Sequence, residues 1–434
     1  MNIGIIGSGG REHSICFKLK QSSLVNRIYC IPGNAGTSEL SENLNIDIND
    51  FEKIYREIKN KDIKLLIVGP EVPLVNGIVD YFQKKNIKVF GPNKNASRLE
   101  GSKLFMKKIC KDFNIPTAKY EEITSENQAK KIINNFNFPI VVKSDGLAAG
   151  KGVTICKNKK EAIKDILEIL NGKFKSSKKV IIEEFLKGEE ASYFIISDGK
   201  NYLPIGTAQD HKRIGENDTG LNTGGMGAYS PSKIISKDIE KKILKKIIAP
   251  TIKAMESIGS PYKGILYAGL MIDKSEPKLI EYNIRLGDPE CQVLMMRLKN
   301  DLLDLILSTF NNSLRKKKIS WIKKPGITIV AASKGYPGKF DTLKEIKNLK
   351  NIKVDKSQQL FHAGTIKSKG GKILSYGGRV LNSTVIDSNL LKARKKALKI
   401  LDKIKWKNKY YRRDIGFRVI KKWELFQVNS EEKN

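Results

Sequence analysis

The chain has 434 residues, 80 Lys and Arg against 46 Asp and Glu, and a formal charge of +34. Its 40% apolar content is enough for ordinary buried cores in about three domains of ~150 residues each, which excludes a mainly disordered protein. No run approaches the ~20 apolar residues of a membrane helix. Met1-Asn2-Ile3-Gly4 opens as strand rather than as a basic and then hydrophobic leader, so a cytoplasmic protein is expected.

The first hundred residues alternate short apolar runs with helical periodicity: Ile3 to Ile6, a helix near 11–20, Arg27 to Ile31, Leu65 to Val68, a helix near 75–85, and Val89-Phe90. This is the rhythm of a parallel sheet with crossover helices, whose strand ends face a ligand crevice. A helix from about 98 to 112 leads into a second unit with Ile140 to Lys143, a glycine-rich turn at 145–152, Val153 to Cys156, a helix at 160–171 and Val180 to Ile182. A long polar, glycine-rich loop over 209–231 precedes a helix near 237–257 and two strands, Gly264 to Ile272 and Lys278 to Asn283. After Pro325 come short strands, at Ile327 to Ala331, Gln359 to Ala363, Ile373 and Gly378 to Leu381, and then a helix near 388–404, the texture of a small α+β domain.

The cysteines (Cys16, Cys30, Cys110, Cys156 and Cys291) are odd in number and fit neither a disulfide framework nor a CxxC zinc site. His13, His211 and His362 are too scattered for a metal centre. Chemistry here must rest on lysines, carboxylates and backbone amides. The charge flags nucleic acid or another anionic surface, but 67 of the 80 cations are Lys and only 13 are Arg. Lys, Asn and Ile are the residues of A/T-only codons, so genomic drift accounts for the excess. Lys107-Lys108, Lys178-Lys179, Arg315 to Lys318 and Lys395-Lys396 are read as solvated surface. Trp321, Trp406 and Trp423 are isolated rather than arranged as stacking platforms, and no nucleic-acid partner is expected.

The turn Gly7-Ser8-Gly9-Gly10-Arg11-Glu12-His13 lies between a strand and a helix, where backbone amides suit a phosphate. It departs from the dinucleotide fingerprint, because Glu12 stands at the third glycine and the second strand ends in Pro32-Gly33-Asn34 rather than in an acid. A dehydrogenase is therefore disfavoured, and a tight turn without a ligand is the bland alternative. The loops Gly33 to Thr37 and Gly69 to Pro73 share its character. Together the three suggest a sugar-phosphate pocket with Gly9, Gly10, Arg11, Asn34, Gly36 and Thr37, in which Glu71 accepts from ribose hydroxyls.

The second glycine loop, Lys143 to Val153, is one residue too short between Gly146 and Gly150-Lys151 for a Walker A loop, and has Gly152 where that loop has Ser or Thr. It reads instead as a flap lowering amides and Lys151 onto phosphates, or as a plain hairpin. Lys143 ends an apolar strand, where an unpaired cation is costly. In Glu183 to Glu190, Phe185 and Leu186 are placed to sandwich a base and Glu190 to reach ribose. Strand alternation puts Glu281, Asn283 and Arg285 on one face, an oxygen pair beside an arginine that suits Mg²⁺ with phosphates. Asp210, His211, Lys212, Arg213 and Asp218 crowd the 209–231 stretch. His211 as a general base has no hydroxyl or thiol placed beside it.

The segments GSGGREH, PGNAGT, GPEVPL, GSK, VVKSDGLAAGKGV, IEEFLKGEEAS, QDHKRIGENDTGLNTGGMGAYSP, LYAGLMID, EYNIRLGDPE, FHAGT and GGRVL, in this order over residues 3 to 418, resemble the phosphoribosylamine-glycine ligases, or glycinamide ribonucleotide synthetases, of the ATP-grasp superfamily. The resemblance implies an α/β and α+β multidomain protein: a parallel-sheet pre-ATP-grasp domain at 1–100, an ATP-grasp core at 101–325 with a mobile lid at about 120–190, and a C-terminal α+β domain at 326–427. It implies the second step of purine synthesis, in which ATP, glycine and 5-phosphoribosylamine give glycinamide ribonucleotide, ADP and phosphate through glycyl phosphate.

By the same resemblance Lys103 and Lys143 hold phosphates under a flap with Gly150 and Lys151. Glu183, Glu184, Phe185 and Leu186 frame adenine, Glu190 binds ribose, and Glu281 and Asn283 ligate Mg²⁺ or Mn²⁺. Arg285 neutralises the phosphoryl group or the glycine carboxylate, the N-terminal loops with Glu71 hold phosphoribosylamine, and Asp210 or Asp288 meets the glycine ammonium. No metal acid precedes Asp273 on the neighbouring strand, so the number of metal ions stays open. A monomer with small-molecule partners is expected, in transient contact at most with the preceding pathway enzyme and with no membrane partner. A carboxylase-type grasp enzyme is the nearest rival; the chain lacks a biotin or bicarbonate module.

Overall fold

The computed structural model describes residues 1–148, 152–174 and 179–420. Near the N-terminus five parallel strands run in the order Glu42–Asn43, Ile28–Pro32, Asn2–Gly7, Ile63–Val68 and Lys88–Phe90. Ile3, Ile5, Ile6, Leu65, Leu66 and Ile67 are almost wholly buried, as expected where helices cover both faces of a parallel sheet. Asn2–Gly7 lies between Ile28–Pro32 and Ile63–Val68, so the loops after Gly7, Pro32 and Val68 open at one edge.

Two expected helices are broken. The one near 75–85 divides into Glu71–Val75 and Ile78–Gln83 around Gly77, whose φ of 93° belongs to the left-handed region that glycine adopts without steric cost. The one from 98 to 112 divides into Arg98–Gly101 and Lys103–Asp112 at Ser102, which is extended and caps the second helix through Phe105 N at 3.2 Å. This break starts a new helix at Lys103 and turns Glu100 inward.

A four-stranded antiparallel sheet follows, in the order Tyr120–Ile123, Val180–Glu184, Ile140–Ser144 and Val153–Cys156. Helices Glu126–Ile132 and Lys159–Leu170 cover it over a core that includes Ile123, Ile140, Val142, Ile166 and Ile182. The largest sheet begins Glu276–Asn283, Lys263–Asp273, Glu189–Asp198, Tyr202–Asp210 and Gly227–Ser230. It continues through Gly326–Ser333, Arg379–Ile386 and Gln358–His362, with Lys409–Tyr410 pairing onto Gly326–Ser333.

The C-terminal α+β unit, with its helix Leu390–Lys403, therefore shares one sheet with the grasp core through the antiparallel pairing of Gly227–Ser230 with Gly326–Ser333. The 209–231 stretch is not one loop. Its ends are strands in this sheet, and Arg213–Gly215 pairs with Thr219–Asn222 as a ribbon. Polar, glycine-rich composition concealed strands whose cohesion is backbone hydrogen bonding. All five cysteines are buried and free. Among the described residues no helix is long and apolar enough to cross a membrane.

Ile329 is fully buried at the seam between the two units. Ile329→Ala is expected to lower unfolding stability by ~2–5 kcal/mol, the usual result of an unfilled core cavity, as read from denaturant midpoints.

Candidate active site

Strand Glu276–Asn283 sends Tyr282 and the following Ile284 into the core and leaves Glu281, Asn283 and Arg285 on the other side, as alternation requires. Burial works to raise the Glu281 carboxyl, but Lys212, Lys143, Lys103 and Arg285 together hold it below the ordinary carboxylate range. Four cations from separate elements thus converge on one carboxylate. Lys212 Nζ lies 3.0 Å from Glu190 and 4.0 Å from Glu281, and Glu190 is the largest cause of its raised pKa. Lys103 Nζ donates to Gly146 O at 2.9 Å, and burial lowers its pKa.

Lys143 has its own partner, since its Nζ donates to Glu183 Oε2 at 2.8 Å. Lys107 approaches the other oxygen of Glu183 at 3.3 Å and donates to Thr117 Oγ1 and Ala118 O. Lys107 is fully buried, which corrects its reading as solvated surface: the helix face carrying it packs against the acid that also holds Lys143. Removing Glu183 would leave two buried ammonium groups unpaired, a loss of ~3–5 kcal/mol. The Glu183 side chain therefore serves the lysines rather than a base. Glu184 accepts from Lys119 N and Lys278 Nζ. The apolar surface open to a base is Phe185, 37% exposed, with half-buried Leu186 beside it. Gly150 and Lys151 lie outside the described residues.

Arg285 joins this region to the N-terminal unit. Its Nε donates to Glu71 at 3.0 Å, Nη2 to Glu100 at 3.0 Å and Nη1 to Leu286 O at 3.2 Å. Glu100 also accepts from Ile284 N at 2.8 Å, so it grips backbone and side chain together. Burial would raise Glu71, but Arg285 and then Arg11 bring it down to about 2. Burial pushes Glu100 up to about 7, against the pull of Arg285. Glu71, expected at a ribose, is instead an ion-pair partner. Two of the five guanidinium N–H groups of Arg285 remain for a ligand.

The N-terminal turn, expected to cradle a phosphate, sets two of its amides against the protein's own carboxylates. Glu12 reaches back to Gly9 N at 2.6 Å, and Asp288 Oδ2 lies 3.4 Å from Arg11 N, so protein carboxylates occupy these amides. A side chain at Gly69 would meet Glu12 at 2.0 Å, which explains the glycine there. The Arg11 guanidinium turns inward to Glu12 and Leu286 O, and Gly10 packs against the amides of Gln292 and Asn382. Asn34 Oδ1 accepts from Gly36 N and Thr37 N while its Nδ2 donates to Ser8 O and His362 O; the Thr37 hydroxyl is engaged by Asn34 and Asn43. These side chains build the loop and pin it to the C-terminal unit instead of facing a substrate. Gly36 fits between His13 and His362, where a Cβ would stand 2.3 Å from His13.

Asp288 accepts from Gln292 Nε2 at 2.9 Å and lies 3.6 Å from Arg379, which with Arg11 outweighs burial and keeps it ionised. Asp210 differs: its Oδ1 is buried and has no hydrogen-bond partner, and burial together with nearby Glu290 raises its pKa well above the usual range. His211 cannot act as a base, since Nε2 accepts from Gly416 N at 2.9 Å and Nδ1 faces Asp218 at 3.3 Å. Burial lowers its pKa and takes those of His13 and His362 to about 3 and about 4. Sequence reasoning left Glu100, Lys107, Lys212 and Arg379 without roles. Glu100, directly before Gly101-Ser102-Lys103, was open to inference as an acid in a helix about to be buried; the partners of the others come from distant segments.

No group of three or more His, Cys, Asp or Glu suited to a metal exists among the described residues. The oxygens of Glu281 and Asn283 fit Mg²⁺, which commonly takes one or two protein oxygens and completes its shell with phosphates and water.

Family models match the N domain of phosphoribosylglycinamide synthetase at residues 1–100, its ATP-grasp domain at 101–291 and its C domain at 326–418. The chain belongs to the phosphoribosylglycinamide synthetase family. It is 45% identical to the phosphoribosylamine–glycine ligase of Agrobacterium fabrum, covering 97% of this chain and 99% of that protein. It is also 45% identical to the ligase of Haemophilus influenzae, with the same coverage of each. The crystal structure of the Thermotoga maritima ligase superposes with a TM-score of 0.82 at 32% identity, over 96% of this chain and 100% of that one. The biotin carboxylase domain of Hydrogenobacter thermophilus 2-oxoglutarate carboxylase, at a TM-score of 0.74 and 17% identity, shares the fold. The three-part architecture of this family member, with its ATP-grasp domain, is thus the family's own.

With a folded-state pKa near 7 against 4.5 in the unfolded chain, Glu100 holds its proton more tightly when folded. Its contribution to stability is therefore present below pH 4.5 and is lost as pH rises through about 7. Glu100→Gln is expected to flatten that part of the stability profile, measured by denaturant melts between pH 5 and pH 8.

Proposed function

We propose that this chain joins glycine to 5-phosphoribosylamine with ATP, forming glycinamide ribonucleotide, ADP and phosphate, in the cytoplasm. The observation that carries the reading is the grouping of Lys103, Lys143, Lys212 and Arg285 around Glu281, cations able to exchange carboxylate partners for the oxygens of a polyphosphate.

Lys103 and Lys143 bind α- and β-phosphates, and Lys143 exchanges part of its pairing with Glu183 for a phosphate oxygen. Phe185 and Leu186 sandwich the adenine against backbone from Glu184 onward, and Glu190 takes a ribose hydroxyl. Glu281 and Asn283 hold the metal ion, which when bound neutralises phosphate charge. A glycine carboxylate oxygen attacks the γ-phosphorus as the bond to the ADP oxygen breaks, giving glycyl phosphate and ADP. The amine nitrogen of phosphoribosylamine then adds to the acyl carbon and passes a proton to the phosphate, which leaves as the carbon–oxygen bond breaks. A primary amine needs no activating base, so orientation and charge neutralisation suffice. The two remaining N–H groups of Arg285 orient the glycine carboxylate or the phosphoryl group, and Asp210 or Asp288 meets the glycine ammonium. Gly9, Gly10 and the loops around Gly36 and Glu71 shape the phosphoribosylamine pocket through backbone.

ADP release with each substrate omitted in turn tests the reading. Release should require ATP and glycine, and glycinamide ribonucleotide should appear only with phosphoribosylamine; product formation indifferent to either acceptor would exclude it. Glu281→Ala should lower turnover by roughly two orders of magnitude or more with the circular dichroism spectrum unchanged, since a metal ion supplies several kcal/mol of charge stabilisation.

A further inference from the structure

A buried, well-satisfied ionic cluster lies outside the site. Arg412 has no solvent exposure, yet its guanidinium meets Asp414 through two hydrogen bonds of 2.8 Å, Asp218 at 2.9 Å and Arg213 O at 3.0 Å. A guanidinium taken out of water persists only when its charge and donors are matched in this way. Every partner but Asp414 belongs to the 211–222 ribbon. The rest of the C-terminal segment adds to the same contact. Tyr410 OH donates to Ile214 O, Arg413 N to Glu216 Oε1, and Arg418 Nη2 to Asp218 Oδ2, while Asn217 N donates to Asp414 Oδ2. Gly416 N donates to His211 Nε2, which leaves the proton of this neutral imidazole on Nδ1, facing Asp218.

His211 stands between Asp210 and Lys212. Its ring is held from behind by Gly416, Asp218 and the Phe417 ring, 5.8 Å away, while Lys212 extends the other way to Glu190 and Glu281. The backbone is fixed from the front of the turn: Met226 N donates to His211 O, and both Thr223 N and Thr223 Oγ1 donate to Lys212 O. The ring of His211 is thus tied to the C-terminal segment, and its backbone to Met226 and Gly227.

We propose that residues 410–418 form a clamp that positions Lys212 for nucleotide phosphates, with Asp218, Arg412 and His211 as positioning residues. The C-terminal unit thereby takes part in ATP binding without touching ATP. The proposal rests on the nucleotide site read above, in which Lys212 stands with Lys103 and Lys143 around Glu281.

A double-mutant cycle on the full chain tests it, with ATP dissociation constants measured by calorimetry in the absence of glycine. Asp218→Asn should weaken ATP binding about tenfold in the wild-type background and less than about twofold in Lys212→Ala, because the clamp acts through the side chain already removed. Equal losses in both backgrounds, or no loss in the wild type, would overturn the clamp. If Asp218→Asn does not fold, Arg418→Ala, which removes the outer ion pair to Asp218 and the guanidinium over Phe417, is read in the same cycle with the same criteria. Unchanged ATP affinity in Lys212→Ala alone would also overturn the proposal, while the ligase reading stands or falls separately by substrate omission.

Discussion

The organisation of the site depends on how one arginine is held. Arg285 follows the strand that presents Glu281 and Asn283, and its guanidinium is gripped by Glu71 and Glu100 from the N-terminal unit. Two acids against one base would leave an excess buried negative charge. Burial resolves this by lifting the proton affinity of Glu100 into the neutral range, while Glu71 stays ionised against Arg285 and Arg11. The junction between the first sheet and the largest one is thus nearly balanced in charge, and it sets the direction in which Arg285 faces Glu281.

Around Glu281 the cations come from separate elements. Lys103, Lys143 and Lys212 come from a helix start, a strand end and the residues before a ribbon, with Glu183, Glu190 and Glu281 as the carboxylates nearest them. Glu183 holds Lys143 and Lys107 side by side through its two oxygens. Of the chain's charge of +34, only a few lysines take part in this. Lys395, Lys396 and Lys318 are exposed on helix and loop surfaces, in keeping with a compositional origin for the excess.

The continuity of the largest sheet through Gly227–Ser230 and Gly326–Ser333 makes the C-terminal unit part of the grasp core's architecture rather than an appended module. This continuity explains why segments near the C-terminus reach the turn before Lys212, and why the Phe361-His362-Ala363-Gly364-Thr365 segment meets the N-terminal loops through Asn34 and His13.

Local order was open to the sequence: apolar runs marked the strands, glycines marked the loops at one sheet edge, and alternation placed Glu281, Asn283 and Arg285 on one face. Those features depend on neighbours within a few residues, so pattern alone carries them. What only the tertiary structure decided is which charged group meets which. Glu12 and Asp288 occupy amides that read as a phosphate cradle, Asn34 and Thr37 spend their side chains on their own loop, Lys107 is buried beside Glu183, and the 209–231 stretch joins a sheet. The physical reason is that a buried polar group must be paired, and whether its partner is a loop neighbour, as Glu12 is for Gly9 N, or a remote residue, as Asp288 is for Arg11 N, is settled by packing that no local pattern encodes.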